Sequence, residues 1–458
     1  MNGPLSRRRL LAAAGILVGG AALGSGARIW DDRRRYGDLP AHKEIFLLTG
    51  EEISVGDQRR HFAEAWSRQA NLALPGSPPA RISVQLVELE GTTDQQFSEI
   101  AAAAQTGDHR YDVVNVDVAW MASLISYGYL APFPEAGLRK VRQADLYEKA
   151  WKTTVRSDGG HTTCYGLPFA SNVPLLFYRK DLVENPPGTF EEAVKMGQEV
   201  LASPKKRGAL NDGAVAYVGQ FDDYEGLSVN ALEAIWSGGG DHITLDANCV
   251  AALNHLVGEY RAGHIQGDNE KGSLERFREG GAVFLRNWSY AYHQLVNAPA
   301  FKRPGDEGTN LGVVALPWPG VLGGQNLAVT GGSPLRDAAA DFVVWMTSAE
   351  RVGQTFVCGG YGSPWHPSYA HTGRRPGCGT DESDSSGRPL SQKDLDFFIE
   401  QTKVSLDKAR ARPLETWYPE YSRHLRSNLI RAMRGETDLD EKRMCEEFGK
   451  LTGATSCA

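Results

Sequence analysis

Residues 165–182, YGLPFASNVPLLFYRKDL, decide the fold. The stretch opens as an apolar run punctuated by Pro168 and closes on a small polar step, Ala170-Ser171-Asn172. A second apolar run, 173–178, is rich enough in aromatic and branched residues to be a strand. Arg179-Lys180-Asp181 ends it, with Asp181 placed to cap a helix. Two strands meeting at a polar seam are equally the arms of an ordinary β-turn. Position favours another reading: the seam falls between two halves that each read as an α/β unit, where a hinge strand over a ligand cleft belongs.

Upstream of the seam, strand-like runs at 44–48, 81–89 and 112–116 alternate with helical periodicity at 58–70, 94–104 and 119–127, and a Pro-rich loop occupies 72–79. That alternation predicts a doubly wound parallel unit, whose ligands sit at the carboxyl ends of strands. Glu51, Glu52 and Asp117 fall at one such mouth. Downstream, helices are expected at 189–201, 223–236 and 249–262, with short strands at 282–285, 311–316 and 325–329. Pro317-Trp318-Pro319 marks a second crossing, and one long helix is expected at 338–357. An acidic low-complexity loop at 382–387 precedes closing helices at 394–409 and 421–434. The division is an export or anchor segment, 1–27, a linker, 28–42, a first lobe of 43–170 with 314–349, and a second of 171–313 with 350–458.

A chain of 458 residues exceeds one ordinary core, and 41% hydrophobic with 23% charged residues excludes a disordered or multi-spanning chain. The formal net charge of −7 argues against a nucleic-acid partner. At the N-terminus, Arg7-Arg8-Arg9 precedes an apolar run of small residues that exits through Gly24-Ser25-Gly26-Ala27, the layout of an export signal. The arginines followed by Leu10-Leu11 resemble the twin-arginine export motif. The alternative is an uncleaved anchor helix, although the glycines make a poor membrane span. Either way the bulk of the chain is expected outside the cytoplasm, with no cysteine before Cys164 to carry a lipid.

Six cysteines in an exported chain favour disulfides over metal or redox chemistry. Cys358 and Cys378 flank a Gly-rich loop, and Cys445 and Cys457 bracket the last helix and tail. Closing the first loop would contribute roughly 3 kcal/mol in the chain-entropy model. Cys164 and Cys249 remain for each other, or free.

Catalytic signatures are missing: there is no nucleophile elbow, no phosphate-binding glycine loop and no HExxH, and the histidines lack metal-ligand spacing. No cofactor or metal is implied. Glu51 or Glu52 with Asp117 would serve as a glycosidase carboxylate pair, although any polar cleft at strand ends contains carboxylates. Rings alternate with polar side chains in expected loops: Arg286-Asn287-Trp288, Gln325-Asn326, and Arg412 through Trp417-Tyr418. A Trp after a strand is core more often than ligand platform. Arg412 beside those rings is harder to place in a core, because an Arg is seldom buried unpaired.

The segments YGLPFASNVPLLFYRKDL, GGAVFLRNWSYAY and ARPLETWYPEYS together resemble extracellular sugar-binding proteins of ABC importers, most of all the trehalose/maltose-binding branch. DVVNVDVAW, DYEGL with WSGGG, and DFVVWMTSAERVGQTF followed by GSPWHPSY extend the likeness over roughly 44–453. The resemblance implies two α/β lobes of the periplasmic-binding-protein-like type II, joined by crossing strands and closing on a sugar. Asp117, Glu270, Trp288 and Arg412 fall at positions that resemble the family's sugar contacts, and Tyr418 lies in its aromatic segment. Asn172 stands where many members have Asp, and Gln325 where several have Trp, which suggests a smaller or more polar second sugar site. The expected ligand is an α-linked disaccharide such as trehalose or maltose. The expected partners are the transmembrane subunits of a permease, the expected protein a monomer, and the competing reading a glycan-active hydrolase.

Overall fold

The structure, a computed structural model, describes residues 43–52, 56–71, 82–296, 298–301, 309–370 and 390–454. The export segment, the linker, the 72–79 and 382–387 loops, Cys378 and Cys457 lie outside the described residues. The polar seam does not turn a hairpin. Leu167–Ala170 and Pro174–Arg179, on its two sides, lie in different five-stranded sheets.

In the first sheet Ile82–Leu89, Lys43–Gly50 and Val113–Asp117 run parallel; Gln325–Val329 and Leu167–Ala170 complete it, Gln325–Val329 being antiparallel to both its neighbours. In the second, Ala282–Trp288, Val215–Gln220 and Ile265–Asp268 run parallel, and Pro174–Arg179 sits antiparallel between Leu311–Ala315 and Ala282–Trp288. A strand that arrives from the other sheet therefore enters against the grain of the parallel ones. The central strands read as unbroken apolar runs because helices cover both faces: Val113, Val114, Leu175, Leu176 and Phe177 are all fully buried. Helix Phe190–Ala202 shows how its face is set. Thr189 caps it by accepting from the Glu192 N–H at 3.1 Å, and Phe190, Ala193, Val194, Gly197 and Val200 face inward. Gly197 has no side chain because a Cβ there would press within 2.8 Å of the Ala216 carbonyl.

Three expectations need correcting. The long helix at 338–357 is two helices, Arg336–Met346 and Ala349–Gly359, because Ser348 adopts an extended conformation and its hydroxyl caps the second. Asp181 caps nothing; its carboxylate holds the Arg179 guanidinium through two bonds of 2.8 and 2.5 Å. Arg286, Asn287 and Trp288 are the last residues of a strand rather than a loop. Strands Val215–Gln220 and Ile265–Asp268 and the hairpin of Val155–Asp158 with His161–Cys164 lacked a periodic signal.

Cys164 and Cys249 are free and buried, so they do not pair with each other. Cys358 and Cys445 are each disulfide-bonded.

The seam is laced to two other chain segments. Ser171 N–H donates to the Gly362 carbonyl at 2.7 Å and Gly323 N–H to the Asn172 carbonyl at 2.9 Å. Gly362 N–H also donates to Asn172 Oδ1 at 3.2 Å. At this crossing Gly324 has φ 121°, and a Cβ there would run into the Ala170 carbonyl oxygen. Gly324→Ala is therefore expected to destabilise the protein by about 1–3 kcal/mol, read as a lower urea midpoint at unchanged slope.

Candidate functional site

Parallel strands deliver their carboxyl ends to one edge of each sheet, where backbone groups and side chains are free to face a ligand. In the first sheet that edge carries Glu51 and Asp117; in the second it carries Trp288 and Asp268, after which Asn269 caps the helix that Glu270 begins. Gln325 pairs in register with Asp117 and with Ala170 at the hinge. Two residues earlier, a Cβ on Gly323 would lie 2.8 Å from the Trp288 ring. Asp117 and Trp288 thus flank the same hinge segment from opposite lobes.

Asp117 Oδ1 accepts from the Ala119 N–H at 2.8 Å and from Arg412 Nη2 at 2.6 Å. Arg412 is buried, and its other terminal nitrogen donates to Glu225 Oε1 at 2.8 Å. Burial alone would pull the guanidinium down, but Asp117 and Glu225 more than offset it, so the group is held above its ordinary value and stays charged. Glu225 is itself saturated: Tyr418 donates to Oε1 at 2.6 Å and Ser422 to Oε2 at 2.5 Å. Sequence reasoning missed Glu225. DYEGL shows it in the first turn of a helix, where a carboxylate needs no further explanation.

In the second lobe Arg286 and Glu233 form a fully buried pair with bonds of 3.0 and 2.6 Å, and Gln220 Oε1 accepts a third at 3.0 Å. The Arg286 guanidinium carbon lies 4.1 Å from the Trp288 ring centroid, which fixes the indole by a cation–π contact. The Trp288 N–H approaches Glu270 Oε1 at 3.5 Å. Burial pushes the Glu270 carboxyl above its ordinary value, against the pull of its own N–H, the Tyr224 hydroxyl and the Trp288 indole. Tyr290 and Tyr361 add rings 5.3 Å apart. Tyr361, between Gly360 and Gly362, was also missed, since GGYG reads as loop.

The remaining candidates disperse. Glu51 is half-exposed, 3.5 Å from Lys271 Nζ. Glu52 turns into a buried ion pair with Arg59 at 3.2 Å. Asn172 is buried in the hinge lacing, and Asn326 is buried with its amide bonded to Thr153 Oγ1 at 2.9 Å. Trp417 is half-buried, its ring 5.6 Å from that of Tyr421. Tyr418 is wholly buried on Glu225. A cavity of about 370 Å³ within the second lobe, lined by residues including Phe190, Tyr217, Glu233, His255 and Trp318, shares none of the candidate residues. Among the described residues, no group of three or more His, Cys, Asp or Glu could hold a metal, and no helix is long and apolar enough to cross a membrane.

Two α/β lobes joined at a hinge, with Asp117 and Trp288 at strand ends on either side of it, have the layout of a two-lobed binding protein. Comparison with known proteins agrees: the chain belongs to the bacterial extracellular solute-binding protein family, whose model matches residues 81–373. The members of that family bind solutes and are not enzymes. A Deinococcus radiodurans protein named "Probable ABC transporter-binding protein" is 26% identical over 333 residues, covering 68% of this chain and 73% of that protein. The maltose-bound MalE3 of T. maritima superposes with a TM-score of 0.71 at 21% identity, covering 89% of this chain and 99% of that one. The GacH receptor of Streptomyces glaucescens, solved unliganded and with acarbose, gives 0.71 at 21% identity, covering 91% and 100%.

Proposed function

We propose that this protein is the extracytoplasmic substrate-binding subunit of a carbohydrate ABC importer, taking an α-linked disaccharide such as trehalose or maltose between its lobes. The observation that carries the reading is the juxtaposition of Asp117 and Trp288 across the hinge segment that holds Gln325. Sugar hydroxyls take bidentate acceptors and donors, and a pyranose face packs on a flat ring. Asp117 has one oxygen engaged by Arg412 and Ala119, which orients the other for a hydroxyl. Glu270 and Gln325 supply a further carboxylate and amide, and Arg412 holds Asp117 in place. Glu52, Asn172, Asn326 and Tyr418 leave the proposed set because their polar groups serve the fold. Support for carbohydrate comes from what MalE3 and GacH are recorded to bind, and for import from the name of the Deinococcus relative. An affinity near micromolar, about −8 kcal/mol, lets a permease still strip the ligand. A thermal-shift screen against disaccharides tests this: maltose or trehalose should raise the melting temperature, and a screen in which no sugar does so would refute it.

The proposal extends to lobe limits, compartment and staples. The first lobe is 43–170 with 314–349 and the second 171–313 with 350–458, except that Leu311–Ala315 lies wholly in the second sheet, which moves the second crossing past Ala315. Arg7 and Arg8 direct export, and the protein works as a monomer. Changing both arginines to Lys is expected to retain the protein in the cytoplasm; undiminished secretion in a fractionation assay would show that the pair is not read. Cys358 pairs with Cys378 and Cys445 with Cys457. Peptide mapping without reductant should recover both linked pairs.

A further inference from the structure

We infer that Asp94 and Asp117 of the first lobe dock into a carboxylate receptor preassembled in the second, an ionic clasp that draws the lobes together whatever the cleft contains. The receptor has three parts. Helix Glu225–Ser237 begins after Tyr224, whose side chain makes no cap, so its first N–H groups depend on another acceptor. Asp94 Oδ2 provides it from across the cleft, accepting from the Glu225 N–H at 2.8 Å. A carboxylate there also meets the positive end of the helix dipole. Its Oδ1 takes Arg426 Nη1 at 2.9 Å. Arg412, the third part, takes Asp117 as described above.

Glu225 positions this receptor. Its carboxylate fixes Arg412, Tyr418 and Ser422 from within the second lobe, while its backbone N–H is the donor that Asp94 caps. The arginine is therefore oriented before the first lobe arrives, which lowers the ordering cost of docking. Three ion pairs share one polarity, although Lys149 of the first lobe donates to the second-lobe carbonyls of Leu406, Asp407 and Ala409. In the pairs Asp94–Arg426, Asp117–Arg412 and Glu51–Lys271 the acid comes from the first lobe and the base from the second. The first two are largely shielded from solvent, with the arginine side chains 11% and 2% exposed, whereas the third lies at the half-exposed rim. Opposed charge across a gap attracts before contact, so closure itself is expected to be salt-sensitive.

The inference shares the proposed cleft but not its ligand, and the test separates the two. Small-angle scattering of the full chain without sugar is recorded at about 0.05 M and about 1 M NaCl, where the Debye length falls to about 3 Å. The same is done for Asp94→Ala and Arg426→Gln, with thermal melts confirming that each is folded; Asp94→Asn replaces a variant that is not. The parent's radius of gyration should rise with salt. Each variant's low-salt radius should shift towards the parent's high-salt value, with a smaller salt response. A parent radius that ignores salt, or variants that match the parent at low salt, overturns the clasp. A protein that opens with salt but binds no disaccharide would refute the carbohydrate reading and leave the clasp standing; sugar binding with a salt-insensitive radius would do the reverse.

Discussion

Trp288→Ala is expected to weaken disaccharide binding by about 2–4 kcal/mol, the range of an aromatic anchor at an interface centre. The indole ends a second-lobe strand, is held by Arg286 at 4.1 Å, and lies against Gly323 of the hinge. Its removal takes away the flat face on which a sugar ring would pack and frees the Glu270 carboxylate from its N–H. A core role makes a different forecast, because Trp288 is only 8% exposed. In that case the variant would melt many degrees lower while its folded fraction bound sugar like the parent. Calorimetric titration and thermal unfolding of the same sample distinguish the two.

Glu233→Ala is expected to destabilise the protein by about 3–5 kcal/mol, since removing one partner of a buried pair leaves the other charge without compensation. Arg286 is wholly buried and would lose both carboxylate bonds, keeping only its bond to Gln220. Glu233 Oε1 also accepts from the Val321 N–H at 3.0 Å, so the loss reaches the connector leading to the first sheet. A fall in urea midpoint at unchanged slope is the expected reading. A loss below about 1 kcal/mol, the scale of an exposed pair, would show that water reaches the site. Glu233→Gln should cost less, because it preserves volume and one acceptor.

The fold was legible where burial imposes a period. The first three strand–helix units stand out because Lys43–Gly50, Ile82–Leu89 and Val113–Asp117 carry branched apolar residues between turn signals. The seam at Ala170-Ser171-Asn172 was legible as a break but ambiguous as a hinge, since only sheet membership shows that its two sides never pair. Short strands such as Ile265–Asp268 gave no signal because IQGD has neither period nor propensity. Site residues divide by a different rule. Asp117 and Trp288 were legible as candidates because strand ends are predictable from strands. Glu225 and Tyr361 were not, because their partners lie far along the chain: Arg412 and Tyr418 for the one, Tyr290 for the other. Asn326 and Tyr418, candidates by the same kind of reading, have buried partners that the sequence does not reveal. A polar group or ring near a predicted cleft serves the core whenever a buried partner such as Thr153 or Glu225 claims it.

The most direct test of a sugar held between the lobes is calorimetric titration of maltose and trehalose into the parent protein and Asp117→Ala side by side. The parent should bind at least one with near-micromolar affinity. The variant should lose about 1.5–3 kcal/mol, the worth of a hydrogen bond to a charged acceptor. Parent and variant binding the disaccharide equally well, or a folded parent binding neither sugar, would contradict the account.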